Sequence, residues 1–294
     1  MSIYLGIDLG GTKIEIIALD DQRVELFRRR VPTPRGDYQG TLTALVDLVT
    51  DAERQLGQRG TLGIGIPGAE SRFGGLIKNA NSTWLIGQPL RRDLQALLRR
   101  PVRLSNDANC FALSEATDGA AAGVPVVFGV IIGTGVGGGI VVNAHVLAGA
   151  NRIAGEWGHN RLPGDEALLP ACYCGRSGCI ETFLSGPGLQ RDHAQITGQN
   201  LAPDEIDARA AAGDEACEAT LCRYEHRLAR ALGQVINILD PDAIVLGGGL
   251  SNLMRLYDHV PKLWGEHVFS DRVVTRFLKN RHGDSSGVRG AAWL

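Results

Sequence analysis

The chain has 294 residues, more than one compact core needs and enough for two domains. Hydrophobic residues make up 44% and charged residues 21%, which excludes a disordered chain and fits a packed globular one. A formal net charge of -2 leaves no electrostatic basis for nucleic acid or an anionic membrane surface as the main partner.

The opening MSIYLGID carries neither a basic leader nor an apolar run of signal-peptide length. No later stretch approaches the ~20 apolar residues that span a bilayer, so a soluble, cytoplasmic protein is expected. In that setting the six cysteines are expected as thiols or metal ligands rather than disulfides. IYLGID and IEIIALD flank GGTK and predict strand, tight glycine turn, strand. TLTALVDLVTDAERQL predicts a helix over roughly 40–56, LGIGIPG (62–68) a buried strand, 89–99 a second helix and VRLSND (102–107) another strand. A helix starts near Asp107, after a polar capping position. VVFGVIIGTGVGGGIVVNAHVLAG then repeats the opening device. A long helix over 215–239, the strand and turn of DAIVLGGGL and a short helix in GVRGAAWL complete the chain. Alternating strands and helices predict an α/β fold. The boundary falls near residue 117: a small domain of 1–117, joined by about 283–294, and a larger one of 118–282.

The 39 glycines gather in knots at Gly10-Gly11, Gly133 to Gly139 and Gly247 to Gly249, each after a strand. Glycine turns let backbone N–H groups approach phosphates. In DLGGTK, Gly10 and Gly11 make the turn, Thr12 and Lys13 add donors, and Asp8 stands at the strand end to hold Mg2+. An ordinary tight hairpin is the competing reading. Gly133, Gly135 and Gly138 match G-x-G-x-x-G, but the following GIVVNAHVL is strand-like where the dinucleotide fingerprint demands a helix. The order Gly11-Thr12-Lys13 excludes a Walker loop. Two hairpins bracketing a triphosphate, with Thr134 and Gly137 in the second, and Gly247, Gly248 and Gly249 under the adenosine, form the nucleotide hypothesis.

Asn106-Asp107 lies where strand gives way to helix, and the helix dipole favours an ionised carboxylate there. Such an aspartate can take the proton of a sugar hydroxyl during phosphoryl transfer, or it can simply cap the helix. Asn81, Asn106, Glu156, His159 and Glu181 supply the amides and carboxylates that read sugar hydroxyls. Cys172, Cys174 and Cys179, with His159 thirteen residues upstream, suit a closed tetrahedral zinc site that pins the 155–182 loop. Cys110, Cys217 and Cys222 are read as core residues.

DLGGTK, NDAN, IGTGVGGG, EWGH and CYCGRSGCIET, in this order, resemble the ROK family of sugar kinases and sugar-responsive repressors over the whole length. KNANSTWL, NILDPDAIVLGGGLSN and HGDSSGVRGAAWL look most like its bacterial fructokinases. The resemblance implies the two-domain actin/hexokinase-like (ribonuclease H-like) ATPase fold, with sugar in the interdomain cleft, ATP and Mg2+ as cosubstrate, structural Zn2+ and a homodimer. It implies Asp107 as base. Sugar contacts would be Gly68, Asn81, Asn106, Asp107, Glu156, His159 and Glu181, and zinc ligands His159, Cys172, Cys174 and Cys179, with the second His159 nitrogen toward the sugar. A fructokinase making fructose 6-phosphate is therefore expected; a glucokinase, an N-acetylhexosamine kinase or a sugar-sensing regulator is the alternative. Because Asp8 already sits in the first strand, no helix-turn-helix is expected ahead of it.

Overall fold

A computed structural model describes residues 2–164 and 169–294. In chain order the regular elements are β1 (Tyr4–Leu9), β2 (Lys13–Leu19), β3 (Glu25–Pro32), α1 (Tyr38–Leu56), β4 (Thr61–Ile66), β5 (Ala69–Glu70), β6 (Ile77–Lys78), α2 (Leu90–Leu98), β7 (Arg103–Asn106) and α3 (Asp107–Thr117). There follow β8 (Val126–Ile132), β9 (Val136–Val142), β10 (His145–Val146), α4 (Ile180–Leu184), α5 (Gly186–Thr197), α6 (Pro203–Ala211), α7 (Glu215–Leu239), β11 (Ala243–Gly247), α8 (Arg255–Leu263), β12 (Arg276–Lys279) and α9 (Ser286–Ala292). By contacts the chain divides into two compact units. One comprises Met1–Gly123, Gly139–Ala154 and Arg281–Leu294; the other comprises Val124–Gly138 and Gly155–Asn280. The expected domain of 118–282 ran without interruption, whereas here Gly139–Ala154 groups with the first unit.

The first unit is built on a five-stranded sheet of order β3-β2-β1-β4-β7. β1 pairs antiparallel with β2 through Leu9↔Ile14 and parallel with β4 through Tyr4↔Thr61. Leu5, Ile7, Leu9, Ile14, Ile16 and Ile64 are buried and form one core with Leu45 and Val49 of α1. Transfer of such side chains from water contributes about 1.5–3 kcal/mol each, the main stabilising term of the sheet layer. Asp37 caps α1 by accepting from Gly40 N at 2.9 Å, and Gly57 ends it in the left-handed region. β3 was not anticipated. Its ELFRRRVP is largely exposed, and buried Glu15 on β2 holds it through Arg28 (2.6 Å) and Arg30 (2.8 Å).

α9 returns to this unit and lies directly on it. A Cβ at Gly290 would stand 1.6 Å from Cys110 O on α3, and one at Gly63 2.0 Å from Ala291 O. Only glycine permits that approach. Ser286 Oγ donates to Glu115 at 2.8 Å and Arg289 Nε to Asp118 at 3.2 Å, fixing the helix along α3.

The second sheet has order β10-β9-β8-β11-β12, with β11 parallel to β8 and to β12. In the second unit α7 carries Leu221, Tyr224, Leu228 and Leu232 on its buried face, capped by Asp214 at its start. Its bounds, 215–239, are those anticipated from leucine and alanine spacing. α5, α6 and β12 were not anticipated. Among the described residues no helix is long and apolar enough to cross a membrane.

Candidate active site

In the first unit, β1 and β2 are joined by the turn that the sequence pointed to. Gly10 N donates to Lys13 O at 3.0 Å. Two side chains from outside the motif brace it: Thr33 Oγ1 donates to Gly10 O at 2.7 Å and Arg35 Nε to Gly11 O at 2.9 Å. β7 runs into α3, with Asn106 as cap. Its Oδ1 accepts from Ala108 N at 2.9 Å, while its Nδ2 donates to Gly68 O at 3.1 Å. Gly68 has φ +94°, and a Cβ there would stand 2.5 Å from Lys78 O, so glycine is required. Asp107 begins α3, exposed, and its Oδ1 accepts from Ala108 N at 2.8 Å. The cap and the exposed carboxylate are therefore neighbours: Asn106 caps α3, and Asp107 is its first helical residue.

These parts meet in a cleft of about 490 Å³ lined by Asp8, Gly10, Gly11, Asn81 and Asp107, joined by Arg35, Ser82, Trp84 and Gly287. Burial, then the charges of Asp107 and Glu15, push the Asp8 pKa up to about 6, against the pull of Lys13 and Arg30. A carboxylate crowded by carboxylates favours a cation beside it. Arg35, Ser82 and Trp84 escaped the sequence reading because none belongs to a glycine or acidic motif.

In the second unit, Gly133 N donates to Gly135 O at 2.9 Å, closing the turn between β8 and β9. Glu181, at the start of α4, accepts from Val136 N at 2.9 Å, and a Cβ on Gly135 would stand 2.6 Å from that carboxylate. Gly248 has φ +80° and a Cβ there would stand 2.5 Å from Ile132 O, so the turn after β11 abuts the end of β8. Gly133, Thr134 and Gly249 line a pocket of about 570 Å³, together with Gly186, Pro187, Gln190, Pro203, Asp207, Leu250 and Asn252. Gly247 is the buried end of β11, and Gly137 contributes its carbonyl, which accepts from Trp157 Nε1 at 3.0 Å. Trp157, packed edge-on against Phe128, anchors EWGH to the second hairpin. Glu156 precedes that anchor and is exposed.

His159, Cys172, Cys174 and Cys179 converge: their ligand atoms lie within 4.8 Å of one another. His159 Nδ1 is 3.6 Å from Cys172 Sγ, and Cys174 Sγ 3.7 Å from Cys179 Sγ. Backbone bonds from Cys172 N to Arg176 O and from Gly175 N to Cys172 O fold the loop around them. Residues 165–168 of the expected 155–182 loop lie outside the described residues. The other ring nitrogen of His159, Nε2, lies 3.1 Å from the Tyr173 hydroxyl. The expected sugar residues thus form two groups. Gly68, Asn81, Asn106 and Asp107 belong to the first unit, and Glu156, His159 and Glu181 to the second.

Comparison with known proteins places the chain in a family. The chain is 44% identical over 299 residues to an N-acetyl-D-glucosamine kinase of Yersinia pseudotuberculosis, covering 99% of this chain and 98% of that one. A crystal structure of a ROK hexokinase from Thermus thermophilus superposes with TM-score 0.88 at 32% identity, covering 99% and 97% of the two chains. A ROK glucokinase from Streptomyces griseus, solved with glucose and AMPPNP, gives TM-score 0.77 at 26% identity over 99% and 98%. The sequence model of the ROK family matches residues 4–294, and the chain belongs to that family.

Proposed function

We propose that this chain is an ATP-dependent kinase that phosphorylates the primary hydroxyl of N-acetyl-D-glucosamine. The observation that carries it is Asp107: a carboxylate at a helix N-terminus, in one cleft with Asp8 and the Gly10-Gly11 turn. The fructose expectation drawn from KNANSTWL and the C-terminal motifs is not supported. Relatives matching nearly the whole chain are named N-acetyl-D-glucosamine kinases, and the substrate is assigned accordingly.

Asp107 accepts the hydroxyl proton as the sugar oxygen attacks the γ-phosphorus, the bond to the β,γ-bridging oxygen breaks, and ADP leaves. Asp107 stands in the first turn of α3, where the helix dipole favours negative charge, and Asn106 caps that helix. Mg2+ arriving with ATP supplies charge neutralisation at the phosphates, and Asp8 is the residue placed to hold its water shell. The Gly11 amide serves the phosphate side, the Gly10 N–H being used inside the turn on Lys13 O, and the second-unit pocket suits a nucleoside, with apolar walls of Pro187, Pro203 and Leu250 and polar Gln190, Asn252 and Asp207.

The four-residue cluster is assigned to structural zinc. With Zn–S of about 2.3 Å and Zn–N of about 2.1 Å, tetrahedral neighbours stand about 3.8 Å apart for two sulfurs and about 3.6 Å for sulfur and nitrogen. The separations here are 3.7 and 3.6 Å. Four protein atoms would fill a tetrahedral site, so a bound ion would serve to orient Glu181, two residues beyond Cys179, rather than to activate water. A cytoplasmic homodimer completes the proposal, its support being the family resemblance and the reduced thiols that the site requires.

The test is an ADP-release assay with N-acetylglucosamine, glucose, mannose and fructose. The highest kcat/KM should fall on N-acetylglucosamine; a clear preference for fructose would overturn the substrate assignment, and no turnover with any hexose the activity itself.

A further inference from the structure

The first-unit cleft holds two hydrogen-bond donors that belong to no glycine or acidic motif, Arg35 and Ser82. Both stand at Gly11. Arg35 Nε donates to Gly11 O at 2.9 Å, and a Cβ on Gly11 would stand 3.4 Å from Ser82 Oγ. Among the described residues no other atom beyond the chain neighbours of Gly11 comes within 4 Å of that point. The space in front of Gly11 is therefore open except for one hydroxyl.

The fold uses up neither side chain. Arg35 is exposed, and Nε is the one of its nitrogens with a partner among the described residues. A guanidinium carries five N–H donors in one plane, so fixing Nε aims the terminal nitrogens as a fork. Ser82 is only 2% exposed, yet its Oγ has no hydrogen-bond partner among the described residues. It precedes the 3-10 turn Thr83–Leu85 without capping it. A buried hydroxyl left unpaired costs stability, and one reason a fold retains such a group is a ligand that completes it. A planar fork and a hydroxyl beside the Gly11 amide match a tetrahedral oxyanion, and Asp8 and Asp107 in the same cleft favour one that arrives with a cation.

We propose that Arg35 and Ser82 hold the transferring phosphoryl group of ATP in front of Gly11, Arg35 by its terminal amino groups and Ser82 by its hydroxyl hydrogen. The inference rests on the kinase reading and deepens it by naming side chains that bind the γ-phosphoryl oxygens. As the sugar oxygen bonds to the γ-phosphorus and the β,γ-bridging oxygen departs with ADP, the hydroxyl proton passes to Asp107. The Arg35 charge offsets the charge that spreads over the three peripheral oxygens. Lysine carries the same charge but cannot keep the Gly11 bond and the fork together.

The experiment compares wild type with Arg35→Ala, Arg35→Lys and Ser82→Ala, reading kcat, both KM values, calorimetric affinity for AMPPNP and ADP, and Tm. Arg35→Ala should lower kcat about 100-fold and weaken AMPPNP binding about tenfold. ADP lacks the γ-phosphate, so its affinity should stay within about threefold, as should the N-acetylglucosamine KM. Arg35→Lys should recover about tenfold of the lost kcat. Ser82→Ala should weaken AMPPNP binding about threefold without lowering Tm, because no bond is lost in the resting fold. Equal weakening of AMPPNP and ADP by Arg35→Ala would make Arg35 a brace of the turn and overturn the proposal. So would a lower Tm for Ser82→Ala with AMPPNP affinity unchanged. An active wild type matched by all three variants refutes this subsite alone; a wild type that phosphorylates no hexose refutes the kinase reading and this inference with it.

Discussion

The chain uses one device twice, a glycine turn between two antiparallel strands, and surrounds it differently each time. Around Gly10-Gly11 stand carboxylates: Asp8, with its pKa pushed up, and Asp107 across the cleft. Around Gly133–Gly135, Glu181 is spent on Val136 N, and the neighbouring pocket sets Pro187, Pro203, Leu250 and Leu253 beside polar Gln190, Asn252, Asp204 and Asp207. Backbone donors suit phosphate in both places. The side chains decide the rest: the acidic surroundings suit a metal-bearing phosphate and a proton acceptor, the mixed ones a nucleoside base.

The sharpest way to break that contrast is Asp107→Asn. Turnover should drop by about 10³-fold while N-acetylglucosamine binding, read by calorimetry, stays within about threefold. Near-normal turnover would remove the reacting centre from the first turn. Next in size is the metal loop of the other unit. Cys174→Ser should leave less than about half an equivalent of zinc, lower Tm by about 10 °C and raise the sugar KM, because Glu181 and His159 lose their anchor. Full zinc occupancy in that variant would show that the cluster needs no fourth ligand.

Gly135→Ala sharpens the comparison at the second turn. Its new Cβ would stand 2.6 Å from Glu181 Oε2, so that carboxylate must give way and release Val136 N, and the KM for ATP should rise about threefold with Asp107 chemistry intact. The smallest effect is electrostatic. The Asp8 pKa is raised from 3.8 to about 6 in the fold, so its charge destabilises the fold increasingly as pH rises through that interval. Asp8→Asn should gain a few degrees of Tm near pH 7.5, with the gain shrinking below pH 6 and gone by about pH 4, while activity is lost at every pH. A gain that grows on acidification would contradict the assigned shift.

Much of this was legible in residue order. β1, β2, α1, α7 and α3 follow from apolar spacing and caps, and both glycine turns from composition. What escaped had no periodic signal of its own. β3 is an arginine-rich edge whose place depends on Glu15, a residue on another strand. α5 and α6 begin at Gly186-Pro187 and Pro203, residues more readily read as loop, and their role as pocket walls appears only once Gly133 and Gly249 are brought beside them. The fructose expectation finds no support among the relatives, which are named N-acetyl-D-glucosamine kinases.

The helix over Ser286–Ala292 has a consequence for how the protein is made. Cys110 and Gly63 remain uncovered, and the wall beside Asp8 lacks Gly287, until those residues have left the ribosome. The first unit, although begun at the first strand, must therefore be the later of the two to mature during synthesis, with its apolar strand faces waiting for a partner encoded more than 170 residues downstream of α3's start.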